Sequence, residues 1–355
     1  MQTLRAQVRS LAPSVVLLVA LAAPSPAHAC TTFGFRAQRV MGKSYDWHTA
    51  AGLLMVNPRG QSKSGAARAS SARWTARYGS VTFNQYGRGF PNGGVNERGL
   101  AVEVMWLSSA RFGAAAPGQR SVNELSFIQY LLDNAKDVTE AIAYARRVHV
   151  ARTYARVHYM ACDKGGACAT FEHVAGRLVV HHSHKKKSLP YAALTNHTYD
   201  RSLRYYKRAK ANDSGMGSLA RFARAAEHVQ RAKALPARGA VERAFATLDS
   251  VRNGSYSKWQ IVYQLAGAKP RVSFRAAGAR KRLFTVDLAK VDFRCGGESS
   301  VIDLTGSVSG KAGRWLSGAN ALNGKLVRAT LGKLGLPAAI VAQVAAYPRT
   351  LRCAK

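Results

Sequence analysis

Acids are scarce in this 355-residue chain: 18 Asp and Glu stand against 53 Lys and Arg, a formal charge of +35. Such a chain is drawn to polyanions and released by salt. Basic runs are scarce too. Lys185-Lys186-Lys187 is the one run, and no basic motif is interleaved with aromatics, so the sequence offers no specific nucleic-acid reader. A Gly-x-Ser-x-Gly elbow is missing, which removes the usual serine-hydrolase nucleophile. Gly215-Met216-Gly217 lacks both the preceding strand and the third glycine of a dinucleotide fingerprint. His181, His182 and His184 adjoin the lysine run without a distant carboxylate or cysteine pair at ligand spacing, and Cys162 and Cys168 are too far apart for a zinc or redox pair. The reading is therefore free of metal and cofactor. No internal repeat is present, and no later stretch is apolar enough to cross a membrane.

What is present begins at the N-terminus. Residues 1–29 read as a removable export signal: Arg5 and Arg9, an apolar run from about Val15 to Ala23, and small residues in Ala27-His28-Ala29. Cutting there leaves 326 residues with a charge of +33, and makes Cys30 the first residue. A terminal cysteine carries thiol and α-amine on neighbouring carbons, so one residue supplies nucleophile and base. Two plainer readings compete: a disulfide partner, or a lipid anchor whose thioether cannot attack anything. Five cysteines in an exported chain leave one unpaired. Cys162 and Cys168 flank a turn sequence and could close a hairpin, and Cys295 with Cys353 could tie back the C-terminal segment. That arrangement would leave Cys30 free.

Short apolar or alternating runs, including Gly52 to Val56, Gly79 to Phe83 and Leu100 to Leu107, predict strands. Ser121-Val122-Asn123-Glu124 reads as a capping box opening a helix, followed by a second helix from about Asp137 to Val148. Val157 to Thr170 and Arg177 to His182 return to strand character. Helices near Ser218 to Ala234 and Ala240 to Val251 precede a hairpin of Trp259 to Leu265 and Arg271 to Phe274. Strands, paired helices and strands again predict a layered α+β domain. A helical extension around Leu316 to Leu334 and Ala338 to Ala346 closes the chain. The division is thus 1–29 signal, 30–294 main domain and 295–355 extension.

Asp46, at the end of the second strand-like run, would come beside Cys30 across a tight turn, and Lys43 would supply charge favouring thiolate. Cys30-Thr-Thr-Phe, Gly42-Lys-Ser-Tyr-Asp46-Trp47, Asn96-Glu-Arg-Gly-Leu100, Leu194-Thr-Asn196 and Leu219-Ala-Arg221-Phe222 follow one another in the order and rough spacing of the choloylglycine hydrolases. The chain resembles that family of bile salt hydrolases and penicillin V acylases, within the N-terminal nucleophile hydrolases, over about Cys30 to Asp292.

The resemblance implies a four-layer αββα sandwich hydrolysing linear carbon–nitrogen amides. It also implies roles: Cys30 as nucleophile, Asp46 as the acid positioning it, and Asn196 as side-chain donor to the oxyanion. Trp106 falls where a backbone N–H completes that hole, and Arg221 matches the late active-site arginine. Trp47 and Trp106 resemble an aromatic pair lining the substrate pocket. Lys43 stands where the family has Arg, keeping charge but losing a bidentate fork. The stretch from Asn196 to Arg221 is short beside the insertion that assembles tetramers, so a homo-oligomer is left open. The reading is an exported amidase, periplasmic or secreted, for N-acyl compounds of the penicillin V or N-acyl homoserine lactone type. Rivals are an acid ceramidase-like or bile salt amide hydrolase, an inactive basic protein held electrostatically on the anionic envelope, and a lipoprotein.

Overall fold

The computed structural model describes residues 30–354 except 68–69, 185–187, 209–214, 279–281 and 298. The export signal with its cut and the lysine run lie outside the described residues. Two antiparallel sheets form the middle of the molecule. One has six strands, in the order Ala193–Leu194, Thr31–Phe35, Val40–Asp46, Ser257–Gln264, Arg271–Ala276 and Phe284–Asp287. The other has nine: Arg177–His182, Cys168–Val174, Val157–Asp163, Leu100–Trp106, Gly93–Asn96, Ser80–Asn84, Leu53–Asn57, Val301–Asp303 and Trp315–Leu316.

A strand covered on both faces loses its alternation. Val40–Asp46, Leu53–Asn57 and Val157–Asp163 are buried at every residue. On one side the cover is the facing sheet, where Phe83 meets Tyr263 and Phe274 edge-on. On the other it is helices. Ser126–Asn134 and Val138–Arg147 pack Phe127, Ile128 and Leu131 over Val102, Val104 and Phe171 of the nine-stranded sheet. Ser218–Ala232 and Ala240–Ser250 lie on the strands Thr31–Phe35 and Val40–Asp46 of the six-stranded sheet, burying Phe222, Ala226, Phe245 and Leu248. The order of layers is helix, sheet, sheet, helix, with a helical extension at the C-terminus.

The capping box is a correction. Arg120–Asn123 is a strand paired in parallel with Val148–Ala151, and the helix starts only at Ser126. Strand pairing outcompetes the local cap signal: Ser121 Oγ meets His149 Nδ1 at 3.1 Å, and Glu124 accepts the backbone N–H groups of Thr153, Tyr154 and Ala155 at 2.7–2.8 Å. The sequence reading also missed the helix Tyr199–Arg208, in which Tyr199 and Ser202 are buried and Leu203 and Tyr206 pack on the core.

Disulfides join Cys162 to Cys168 and Cys295 to Cys353, and Cys30 is a free, buried thiol. The first bridge lies directly on the strand that follows Cys30. A Cβ at Gly34 would sit 2.8 Å from both of its sulfurs, so only glycine lets the strand approach. The second spans 58 residues, and closing so long a loop removes about 4 kcal/mol of unfolded-chain freedom on the entropic account.

Candidate active site

Thr31–Phe35 returns through a turn into Val40–Asp46, with Arg39 in the left-handed region at φ 56°. The register pairs Thr31 with Ser44, which sets Cys30 level with Tyr45 and next to Asp46; Cys30 Sγ lies 3.8 Å from the Asp46 carbonyl oxygen. Ser44 Oγ donates to Asp46 Oδ1 at 2.6 Å. The buried Oδ2 makes no hydrogen bond among the described residues. An acceptor left open beside Cys30 suits the ammonium that cleavage at Ala29 would create. Burial pushes the Asp46 carboxyl up, against the lowering effect of the neighbouring Ser257 and Ser44 hydroxyls.

Lys43 is fully buried and donates to the Val104 carbonyl, with Glu103 Oε2 at 3.7 Å. The expected effect on the thiol is met in sign and overtaken in magnitude. Burial raises the Cys30 thiol, and the Lys43 charge is the largest influence pulling it back down. The resting group is therefore a thiol, whose proton a base must take.

Glu103 was not singled out in the sequence, although a lone acid inside Leu100–Trp106 is the signal that could have found it. Tyr263 donates to its Oε1 at 2.5 Å, and burial pushes its carboxyl up to about 7 in spite of Lys43. The unfolded value is about 4.3. Between these values the folded chain holds a proton that the unfolded chain has released, so the contribution of Glu103 to stability falls as pH rises through that window. Glu103→Gln removes this slope. In urea unfolding from pH 4.5 to 8, the variant should gain on the parent up to about pH 7 and then run parallel. A constant gap would show a carboxylate ionised throughout.

Asn196 follows the edge strand Ala193–Leu194, and Arg221 is on the first turn of Ser218–Ala232. The buried guanidinium ties the two to the N-terminus: Nη1 donates to the Cys30 carbonyl at 2.8 Å and to Thr31 Oγ1 at 2.6 Å, and Nη2 to Asn196 Oδ1 at 3.0 Å. Asn196 Nδ2 donates to the Trp106 carbonyl at 2.9 Å. Held at both ends, the amide has a fixed orientation, and one hydrogen of its NH₂ remains for another acceptor. Leu107 N–H bonds to the Arg156 carbonyl, so ladder alternation turns the N–H and C=O of Trp106 to the opposite edge, where Asn196 lies. Behind Asn196, His158 Nε2 meets the Thr195 carbonyl at 2.6 Å while its Nδ1 meets Glu172 at 2.8 Å, a buried brace that sequence reading missed.

Cys30 also lines an apolar cavity of about 150 Å³ with Trp47, Trp106, Tyr86 and Phe90. The Trp47 and Trp106 rings lie 6.1 Å apart by centroids. Lys43, Asp46, Asn196 and Arg221 are outside its walls. Cys30 is thus the point where a polar cluster meets an apolar cavity.

A free cysteine leading the first strand of an αββα sandwich, with a carboxylate, an asparagine and an arginine around it, is the arrangement expected in the N-terminal nucleophile hydrolase fold. The chain belongs to the family of acyl-coenzyme A:6-aminopenicillanic acid acyl-transferase, whose profile matches residues 36–267, and with it to the choloylglycine hydrolase and penicillin V acylase group. It is 28% identical over 313 residues to a penicillin V acylase of Pectobacterium atrosepticum, covering 75% of this chain and 81% of that protein. A penicillin V acylase structure from Agrobacterium tumefaciens shares the fold at a TM-score of 0.65 and 24% identity, over 78% of this chain and 91% of that one. A mutant conjugated bile acid hydrolase from Clostridium perfringens does so at 0.61 and 14%, over 77% and 96%. The protein is a hydrolase acting on linear carbon–nitrogen amide bonds.

Proposed function

We propose that the exported chain, trimmed after Ala29, hydrolyses N-acyl compounds with an apolar acyl group, of the penicillin V or N-acyl homoserine lactone type, through a thioester on Cys30. One observation carries this reading: a free buried thiol stands between the polar cluster of Asp46, Asn196 and Arg221 and an apolar cavity walled by Trp47 and Trp106. The two disulfides fit an oxidising compartment.

Because burial keeps the thiol protonated, attack needs a base, and an α-amine titrating at about 7.7 to 8.0 is close to working pH. The amine takes the thiol proton as sulfur bonds to the amide carbon. Asn196 Nδ2 and the Trp106 N–H receive the developing oxyanion, Lys43 lends positive charge, and Arg221 holds Asn196 in place. The carbon–nitrogen bond then breaks, the ammonium passing its proton to the departing amine. Water attacks the thioester, yielding it a proton by way of the same amine, and the carboxylic acid leaves with the thiol restored.

The test uses protein beginning at Cys30 with a panel of penicillin V, N-acyl homoserine lactones and a glycine-conjugated bile salt. Amine release, a quenched acyl adduct on the peptide starting at Cys30, and loss of both after iodoacetamide are expected. A folded, unblocked protein that releases no amine from any of them would overturn the proposal and favour an inactive binding protein. Diacylglycerol mass on Cys30 would favour the lipoprotein.

A further inference from the structure

The segment after Cys295 is built into the main domain. Val301–Asp303 pairs with Leu53–Asn57, Arg352–Cys353 pairs with Gln61–Ser64, and the disulfide fixes the end. Between them, the helices Ala319–Leu331 and Ala338–Ala346 dock on the turn at 85–90. Fully buried Asn323 accepts the Arg88 N–H at 2.7 Å and donates to the Ala345 carbonyl at 3.3 Å, and Thr330 donates to the Gln85 carbonyl at 2.8 Å. Gly87 and Gly89 have φ of 99° and 84°, and Cβ atoms there would lie 2.6 Å from Val327 and 2.4 Å from Tyr347. No side chain fits between turn and extension. The same turn carries Tyr86 and Phe90, so one docking sets two walls of the Cys30 cavity.

The extension's own contribution to that cavity is Leu331, Leu334, Leu336, Ile340 and Val344. They range from buried to exposed. Leu331 is buried, Leu334, Leu336 and Val344 are half-buried, and Ile340 is exposed at 38%, as is Tyr154, at 49%, elsewhere in the same lining. Cys30, where an acyl carbonyl would react, is 4% exposed, and the large apolar side chains left wet mark where the cavity opens.

We propose that the C-terminal extension is the acyl-length gauge of this site, and that the preferred substrate carries a medium-to-long unbranched acyl chain whose far end packs on Leu334, Leu336 and Ile340. The assignment rests on the amidase reading above for its chemistry and on the cavity alone for its recognition. Two readouts separate these.

Cys30→Ala protein is titrated calorimetrically with saturated carboxylic acids from butanoate to dodecanoate. Affinity is expected to rise about fourfold per methylene until the chain reaches the extension and fills it. Ile340→Ala and Leu334→Ala should each lower the affinity ratio of dodecanoate to butanoate by roughly fivefold to tenfold, and Ile340→Trp should move the optimum to shorter acids. In protein with Cys30 intact, the same variants should lower the ratio of kcat/KM for dodecanoyl over butanoyl amides through KM. A length-dependent binding profile that follows the variants, without turnover by the parent, would remove the amidase reading and leave the gauge. Turnover or binding whose length profile is the same in parent and all three variants would remove the gauge and leave the amidase. Ile340 is partly exposed, so its variants should fold; far-ultraviolet circular dichroism matching the parent is the control.

Discussion

Protein that keeps Ala29 ahead of Cys30 is expected to fold, to expose the same alkylatable thiol, and to hydrolyse acyl amides about 10² to 10⁴ times more slowly than protein starting at Cys30. The reason lies in the buried site. The thiol is raised by burial more than Lys43 and Arg221 lower it, so little thiolate is present before substrate arrives. A neighbouring base must remove the proton, and no histidine is among Lys43, Asp46 and Arg221, the charged groups acting on the thiol. Asp46 carries its own burial penalty and has one oxygen already accepting from Ser44. The α-nitrogen is the remaining candidate, and acylated by Ala29 it is an amide without basicity. For the trimmed protein, kcat/KM should rise with pH as the ammonium loses its proton, because only the neutral amine accepts one. Asp46, the nearest anion, favours the ammonium and should move that rise above the free-amine range. Asp46→Asn should bring it back down. Equal rates for the protein with and without Ala29 would refute the amine as base.

The legible parts of the structure are those decided locally. Arg177–His182 and Ala338–Ala346 run as their apolar patterns predict, and the Cys162–Cys168 hairpin follows from a turn sequence between two strand-like runs. Cys30 and Asp46 were legible because a single hairpin joins them. Tyr199–Arg208 went unread although Tyr199, Leu203 and Tyr206 recur on one face, because that stripe is only three side chains long and is set among charged residues. Glu103 and Lys43 face each other only through the stacking of two sheets, which no spacing along the chain encodes. The cavity wall from Leu331 to Val344 is the extreme case: an apolar helix pair at one end of the chain gains its meaning from a cysteine at the other. The capping box shows the reverse failure, a correct local signal spent on a strand and on the Glu124 loop contacts.

Asn196→Ala should lower kcat by about 10²–10³ with little change in KM, since a donor aimed at an oxyanion acts in the transition state and not on bound substrate. The structure adds a second expectation. Asn196 keeps its orientation because Arg221 Nη2 holds its oxygen, while the other arm of the same guanidinium holds the Cys30 carbonyl and Thr31 Oγ1. Cys30 and Asn196 are therefore held at two ends of one planar fork. Arg221→Lys retains the charge, but a single ammonium cannot span both arms with the same geometry. Its kcat should fall nearly as far as that of Asn196→Ala, with the thiol still alkylatable, and the double variant should be hardly worse than the poorer single one, because both remove one unit. If the two losses multiply in the double variant, Arg221 acts independently of Asn196, and the carbonyl of Cys30 becomes the contact through which it works.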